Sequence, residues 1–375
     1  MPRTRNPLAW LVVPSLLFVG VGSGRVEAQA SFGASSLDVA PGVRFGERIP
    51  LLLRADAPIP PGTPDPSLAT AFNSVRDGIN LNGVGFIQTP VPGDPRFAFF
   101  CTAQRIGPRT IVTAAHCVTD DETGALLSTT SQTAAFFTGP TGRERFNAVN
   151  VQVRPDWFGF YNQNTFVAGD VAVINFEDAL PSYVTTYDIY TTVLPNGAGF
   201  SGLATTHVGF GTYGTGTGAT AFDLNRRWGQ NYVDFTGSTG DSDQGVLYTN
   251  FQDAAGGWST TCLFMGVCNP TRGGTEAGTA EGDSGGPLFI NGQLAAVTSF
   301  GTAFCDPSVQ DMCVPVTADP SRPDSFGALN GFAPLAPNLD FIRLATIPEP
   351  STVLLVGGGL VTLLGAAWRR GRTGR

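Results

Sequence analysis

The stretch Gly282-Asp283-Ser284-Gly285-Gly286-Pro287 surrounds one serine with three glycines and is the most informative part of this 375-residue chain. Glycine adopts backbone conformations that other residues avoid, so such a turn can expose the Ser284 hydroxyl. The same turn can direct the amides of Gly282 and Ser284 toward one oxyanion hole. An ordinary polar turn is the alternative interpretation.

A second stretch, Thr113-Ala114-Ala115-His116-Cys117, comes earlier in the chain and places a histidine where a β-branched run ends. A serine hydroxyl attacks well only when a base removes its proton, so His116 is the candidate base for Ser284. A buried structural histidine is the alternative. The order of histidine before serine argues against an α/β-hydrolase, in which the histidine follows Gly-x-Ser-x-Gly.

These two segments resemble those of the trypsin-like, chymotrypsin-fold serine proteases. The resemblance covers residues 78–345 and implies an all-β fold of two six-stranded antiparallel β-barrels, with the active site between them. It also implies a secreted serine endopeptidase that acts on proteins or peptides through an acyl-enzyme intermediate, without a cofactor or metal. A catalytically silent protease-like binding protein of the extracellular matrix is the alternative.

The family also places an aspartate between the two motifs, at the start of an apolar strand. Gly169-Asp170-Val171-Ala172 fits that description. The resemblance therefore implies that Asp170 is the third member of a catalytic triad and orients the His116 ring. Asp156 and Asp178 are the alternative acids.

Two further segments correspond to the family's substrate-binding residues. Ser299, Phe300 and Gly301 occupy the place of the strand that pairs with the substrate backbone. Gly278 falls at the floor of the specificity pocket, where enzymes that cut after Arg or Lys have an aspartate. We therefore expect a neutral floor, unless Asp306, Asp311 or a shifted loop supplies a carboxylate.

The cysteines form three local couples, at separations that allow three disulfides in an exported protein. They are Cys101, Cys117, Cys262, Cys268, Cys305 and Cys313. A zinc site is the weaker alternative, because no couple has C-x2-C spacing. By the resemblance, Ala280 replaces the usual pocket-edge cysteine, which leaves Cys305 to pair with Cys313.

Between the glycine-rich turns lie short runs of β-branched and aromatic residues, which predict a β-sandwich or barrel. The predicted strands span residues 84–88, 110–113, 149–154, 170–176, 206–210, 245–251, 287–290 and 294–300. His207 falls within one of them and is expected to be structural. One late helix is predicted from Asn338, as N-cap, to about Leu344.

The two ends of the chain carry processing signals. Residues 1–30 predict a signal peptide with basic, apolar and Ala-Gln-Ala regions, and residues 31–77 predict a propeptide or linker. Residues 346–375 combine Pro-Glu-Pro, an apolar run and terminal arginines, and resemble the PEP-CTERM sorting signal. That resemblance implies an exosortase-type partner, a transient inner-membrane anchor and a final place at the surface of a Gram-negative bacterium or outside it. A plain membrane tail is the alternative.

Without residues 1–30 and 346–375 the chain has 15 basic and 28 acidic residues, and it contains no lysine. An acidic surface of this kind argues against nucleic acid or an anionic membrane as a partner. The activation site is not evident, because the chain has no Ile-Val-Gly-Gly segment. The resemblance implies activation by a cleavage that frees an apolar amino terminus, whose ammonium pairs with the aspartate next to the serine, here Asp283. Cleavage before Ile79 is the candidate event.

Overall fold

The computed structural model describes residues 67–91, 94–127, 132–162, 165–198, 202–237, 245–306, 308, 314–321 and 324–346. Strands dominate this part of the chain. They are β1 Val75–Arg76, β2 Ile79–Asn80, β3 Val84–Val91, β4 Asp94–Gly107, β5 Thr110–Thr113, β6 Ala134–Gly139, β7 Gly142–Val153, β8 Ala172–Phe176, β9 Leu203–Gly209, β10 Tyr213–Thr215, β11 Gly218–Ala221, β12 Arg227–Val233, β13 Phe235–Gly237, β14 Val246–Asn250, β15 Pro287–Ile290, β16 Gln293–Thr302 and β17 Leu329–Pro334. The α-helices are α1 Thr260–Met265 and α2 Leu339–Ala345.

The first half of the fold is a closed antiparallel barrel with strand order β3-β4-β5-β8-β7-β6. Its centre is filled by side chains such as Ile87, Ile111, Phe137 and Val173, which are all buried. Strands β5 and β8 are direct neighbours, and Thr113 pairs with Ala172 at their common end. The loops that follow β5 and precede β8 therefore meet at one rim of the barrel.

The second half is a seven-stranded antiparallel sheet with strand order β12-β9-β15-β16-β17-β14-β13. The sheet curls on itself, so that strands far apart in this order come into contact. The Asn231 side-chain amide on β12 donates to the Asn250 carbonyl of β14 at 2.9 Å. The predicted all-β fold is thus confirmed. The first barrel has the expected six strands, whereas the second forms a seven-stranded half-barrel.

Local predictions agree with the structure where the apolar pattern is sharp. The predicted strands 110–113 and 287–290 coincide with β5 and β15 to the residue. Helix α2 is also found with Asn338 as its N-cap residue, but the Asn338 side chain makes no capping hydrogen bond. The Asn338 amide instead donates to the buried carbonyls of Ala168 and Pro334, at 2.8 and 2.6 Å. The sequence did not predict α1.

Residues 67–83 form an N-terminal strap across the second sheet. Arg226, just before β12, is completely buried and donates to the carbonyls of Ala69, Leu81 and Ala71 in this strap. The Trp228 amide also donates to the Ser67 carbonyl at 2.9 Å. The strap is therefore part of the folded body, although its first residues were assigned to the propeptide or linker segment.

The predicted signal peptide, most of the predicted propeptide and the sorting tail from residue 347 onward lie outside the described residues. Within the described ranges, no helix combines the length and apolar character needed to cross a bilayer.

Candidate active site

His116 lies in a single 3-10 turn, Ala115–Cys117, directly after β5. A disulfide between Cys117 and Cys101 ties this turn to β4. The Phe160 ring packs edge-on against the imidazole, with 5.5 Å between ring centroids. These contacts hold the histidine at the rim of the first barrel, with its side chain almost fully buried.

Asp170 sits directly opposite, in the segment that leads into β8. Its carboxylate accepts from His116 twice, with 2.7 Å between Nδ1 and Oδ2 and 2.9 Å between the backbone nitrogen and Oδ1. The Ser299 hydroxyl donates to Oδ2 as well, at 2.6 Å. Sequence analysis assigned Ser299 to substrate binding and did not predict this bond to Asp170.

The two alternative acids are placed differently. Asp156 forms an ion pair with Arg154 at 2.6 Å and leaves 47% of its side chain exposed. Asp178 is also exposed. Of these three carboxylates, which all lie in the described part of the chain, only Asp170 accepts a hydrogen bond from His116.

Ser284 reaches the same rim from the second sheet. Its carbonyl accepts from the Thr102 amide of β4 at 2.8 Å, while the next amide, of Gly285, donates to Thr298 at 2.7 Å. A Cβ atom at position 285 would lie 2.0 Å from the Thr113 hydroxyl oxygen, and φ there is +77°, so this position requires glycine. The serine turn is therefore packed directly against the segment that carries His116.

Ser284 and His116 come from different halves of the fold. Within the described part of the chain, no hydrogen bond joins the Ser284 hydroxyl to His116, whose Nε2 lies 3.9 Å from the Cys117 sulfur. Such bonds are often long without substrate. The amides of Gly282 and Ser284 have no acceptor among the described residues either, and Gly282 adopts a φ of +90°.

The surroundings of His116 favour its charged form. Burial by itself lowers the pKa of the imidazole, but the charge and hydrogen bond of Asp170 and the charge of Asp121 outweigh it, so the pKa is raised. Asp121 lies in the loop after the histidine turn, and burial raises the pKa of its carboxyl. Sequence analysis did not single out this residue.

Asp283, next to the serine, is buried within the second sheet. Its Oδ1 accepts from the Gly211 amide at 3.1 Å, and Oδ2 has no partner in the described part of the molecule. Burial raises the pKa of this carboxyl well above its usual range. Ile79, the candidate new terminus, is buried in the β1–β2 hairpin, where it pairs with Arg76.

The predicted substrate-binding residues lie on β16 and in the segment that precedes the serine turn. Ser299 forms a bulge in β16, and the following Phe300 and Gly301 pair with β17. Gly278 packs against Phe251, whose ring carbons would lie 2.9 Å from a Cβ at position 278.

Of the acids that could alter this pocket, Asp306 accepts from the Ser308 hydroxyl at 2.6 Å. Asp311 lies outside the described residues.

The described cysteines are disulfide-bonded. Cys262 pairs with Cys268, and Cys305 is also disulfide-bonded, whereas its predicted partner Cys313 lies outside the described residues. His116, Cys101 and Cys117 each carry an atom that could bind a metal ion, and these atoms lie within 4.8 Å of one another. Both sulfurs are consumed by the disulfide, so this grouping does not fit a metal ion.

His207 is a core residue of β9. Its Nε2 contacts the Thr205 hydroxyl at 2.8 Å, and its ring packs 4.9 Å from that of Phe332. Burial lowers the pKa of His207 to about 3, so the ring is neutral at physiological pH. Its place in a strand agrees with the prediction.

The family model described as Trypsin matches residues 88–319, which include the histidine and serine motifs and Asp170. The chain belongs to the trypsin family of serine endopeptidases. A second model, the PEP-CTERM protein-sorting motif, matches residues 346–372 of the protease.

The protease is similar to brachyurin from Leptuca pugilator, with 31% identity over 225 residues, which cover 58% of this chain and 84% of brachyurin. Among solved structures, neuropsin, a serine protease expressed in the limbic system of mouse brain, is 14% identical, with 74% of this chain and 96% of neuropsin covered and a TM-score of 0.46. Human heparin binding protein is 15% identical over 72% of this chain and 95% of its own, with a TM-score of 0.42.

Proposed function

We propose that this protease cleaves peptide bonds through an acyl-enzyme intermediate, with Ser284 as nucleophile, His116 as general base and acid, and Asp170 as the residue that orients His116. The observation that carries the proposal is the 2.7 Å contact between Nδ1 of His116 and Oδ2 of Asp170. A buried carboxylate beside Nδ1 keeps the proton on that nitrogen, so Nε2 is left free to accept the proton of the serine hydroxyl.

The positions of the segments support this division of roles. The Thr102–Ser284 and Gly285–Thr298 hydrogen bonds bring the serine turn against the rim that carries His116. Nucleophile–base bonds of this kind are often long without substrate and tighten when substrate excludes water.

The turn around Ser284 also supports an oxyanion hole. The amides of Gly282 and Ser284 have no acceptor among the described residues, so both can donate to the negatively charged oxygen of the tetrahedral intermediate. Three hydrogen bonds hold the Asp170 carboxylate in place beside the imidazolium that forms.

We infer further that the protease is exported. The match of residues 346–372 to the PEP-CTERM motif supports processing by an exosortase-type enzyme, and the N-terminal segment has the pattern of a signal peptide. The chain would pass through a transient inner-membrane anchor to the cell surface. Cell fractionation with and without residues 346–375 tests this, and unchanged surface localisation of the truncated protein would contradict it.

Labelling of the secreted protein with a fluorophosphonate probe tests the catalytic proposal. Wild-type protein should be labelled, whereas Ser284→Ala and His116→Ala should not, and exposed Ser308→Ala serves as the matched control. Equal labelling of wild type and Ser284→Ala would contradict the assignment of the nucleophile. Absence of labelling in all four proteins would favour the silent binding protein.

A further inference from the structure

The fold determines which of the four Asn-Gly pairs in the chain can undergo a spontaneous change of covalent structure. They are Asn82-Gly83, Asn196-Gly197, Asn291-Gly292 and Asn330-Gly331. In such a pair the glycine nitrogen can attack the asparagine Cγ, because glycine has no Cβ to obstruct it. Ammonia leaves, a succinimide ring forms, and water opens the ring to give either aspartate or isoaspartate. The reaction requires an accessible side chain and a backbone nitrogen that is free to move.

Two of the pairs are buried and hydrogen-bonded. Asn82 is 1% exposed, and its side chain exchanges hydrogen bonds with Asn73, through Oδ1 at 2.8 Å and Nδ2 at 2.7 Å. Asn330 lies on β17 opposite Gly301 and is also 1% exposed. Its Oδ1 accepts from the amide and the hydroxyl of Thr279, at 2.7 and 2.9 Å. Both pairs are therefore protected until these contacts are broken.

The third pair is held through its backbone. The Gly197 nitrogen, which would have to attack, donates to the Thr236 carbonyl at 2.8 Å. The Thr236 nitrogen donates back to the Gly197 carbonyl at 2.9 Å, so the two residues form a closed bridge at β13. The Oδ1 atom of Asn196 is itself buried. This pair can react only after the bridge opens.

Asn291 and Gly292 are placed differently. These two residues form the whole turn between β15 and β16, and the flanking residues Ile290 and Gln293 pair directly. Both turn residues are exposed, and their φ angles of +50° and +76° are those of a type I′ hairpin turn. In the described part of the chain, no hydrogen bond holds the Asn291 side chain or the Gly292 nitrogen. A Cβ added to Gly292 would meet nothing within 4 Å, so there is room around this residue.

We propose that Asn291 is the residue at which the folded protease undergoes spontaneous deamidation, and that the β15–β16 turn is converted into a mixture of aspartate and isoaspartate. Both products add one negative charge at the turn. Aspartate can keep the turn, since it tolerates a positive φ. Isoaspartate runs the main chain through the former side-chain carbon, which adds a methylene to a turn whose length sets the strand register. The altered hairpin carries Ser299 on β16, so the change occurs in an element of the proposed active site.

The test is peptide mapping by mass spectrometry after incubation at mildly alkaline pH, with the Ser284→Ala variant so that proteolysis does not degrade the sample. In the folded protein Asn291 should deamidate about tenfold or more faster than each of the other three asparagines. In the same protein, reduced and unfolded in urea, all four should react at similar rates, because only the local sequence then controls the reaction. Methylation by an isoaspartyl methyltransferase should show isoaspartate in the folded, incubated sample.

Asn291→Asp in the same Ser284→Ala background is the matched control, because it adds the charge without the extra methylene. The incubated protein should unfold at a lower temperature than this control. Equal rates at all four pairs before unfolding, or an Asn291 that stays intact while the unfolded protein reacts, would overturn the inference. Equal unfolding temperatures would overturn the formation of isoaspartate at the turn. None of these measurements depends on catalysis, so failure of the proposed function would be seen separately in probe labelling.

Discussion

Asp170 receives two hydrogen bonds from one residue, His116, through the ring nitrogen Nδ1 at 2.7 Å and through the backbone nitrogen at 2.9 Å. The backbone bond fixes where the histidine lies, and the ring bond fixes how the imidazole is turned. Ser299 donates a third hydrogen bond to the same carboxylate at 2.6 Å. The orientation of the proposed base thus depends on one buried carboxylate and its donors.

Replacement of Ser299 by alanine should lower kcat without a matching change in KM. The Asp170 carboxylate would lose one of three donors, and a hydrogen bond to a charged group contributes about 1.5–3 kcal/mol. We expect a fall in kcat of about tenfold or more, measured by steady-state kinetics on a peptide substrate. An unchanged kcat would contradict a positioning role for Ser299, and Ser308→Ala is the control.

The pH dependence of kcat/KM should report the raised pKa of His116. The imidazole must be neutral to act as base, so activity falls as the pH drops through this raised pKa, which lies above the usual value of about 6.5. Asp121→Asn removes a negative charge that raises the pKa and should shift the acid limb of the profile to lower pH. Asp120→Asn, at the exposed neighbour, should leave the limb in place.

Loss of the Arg226 guanidinium should destabilise the fold through the N-terminal strap. Arg226→Met leaves several buried carbonyls of the strap without a donor, at a cost of about 1–3 kcal/mol for each. We expect the free energy of unfolding to fall by about 3 kcal/mol or more, measured by urea denaturation. Exposed Arg145→Met is the control, and equal stability of the two variants would show that the strap is dispensable.

The two described disulfides should differ in importance. Cys101 and Cys117 close a 16-residue separation and hold the histidine turn, so the double alanine variant should lose about 3 kcal/mol of stability and most of its activity. The Cys262–Cys268 pair closes a separation of only 6 residues, so its removal should cost less stability and leave more activity. Thermal unfolding measures the loss of stability, and probe labelling measures the loss of activity. A larger loss on removal of Cys262–Cys268 than of Cys101–Cys117 would contradict the greater importance of the Cys101–Cys117 disulfide.

Much of the fold could be predicted because short apolar runs in this chain are bounded by clear turn residues. Strands β5 and β15 were found to the residue for that reason. The short helix α1 was missed because its six residues are too few to show a helical period. Asn338 is the N-cap of α2, but its side-chain oxygen accepts from Arg154 and not from the helix amides, because tertiary contacts compete for it.

The sequence by itself determined the chemistry of this protein: which histidine, aspartate and serine are candidates, and which family they indicate. These follow from local patterns, since a strand end, a strand start and a glycine-rich turn can each be recognised alone. Tertiary structure decided what surrounds them. Ser299 against Asp170, Asp121 near His116, Arg226 beneath the strap and Asn330 opposite Gly301 are contacts between distant segments, and only the pairing of strands and packing of loops bring them together.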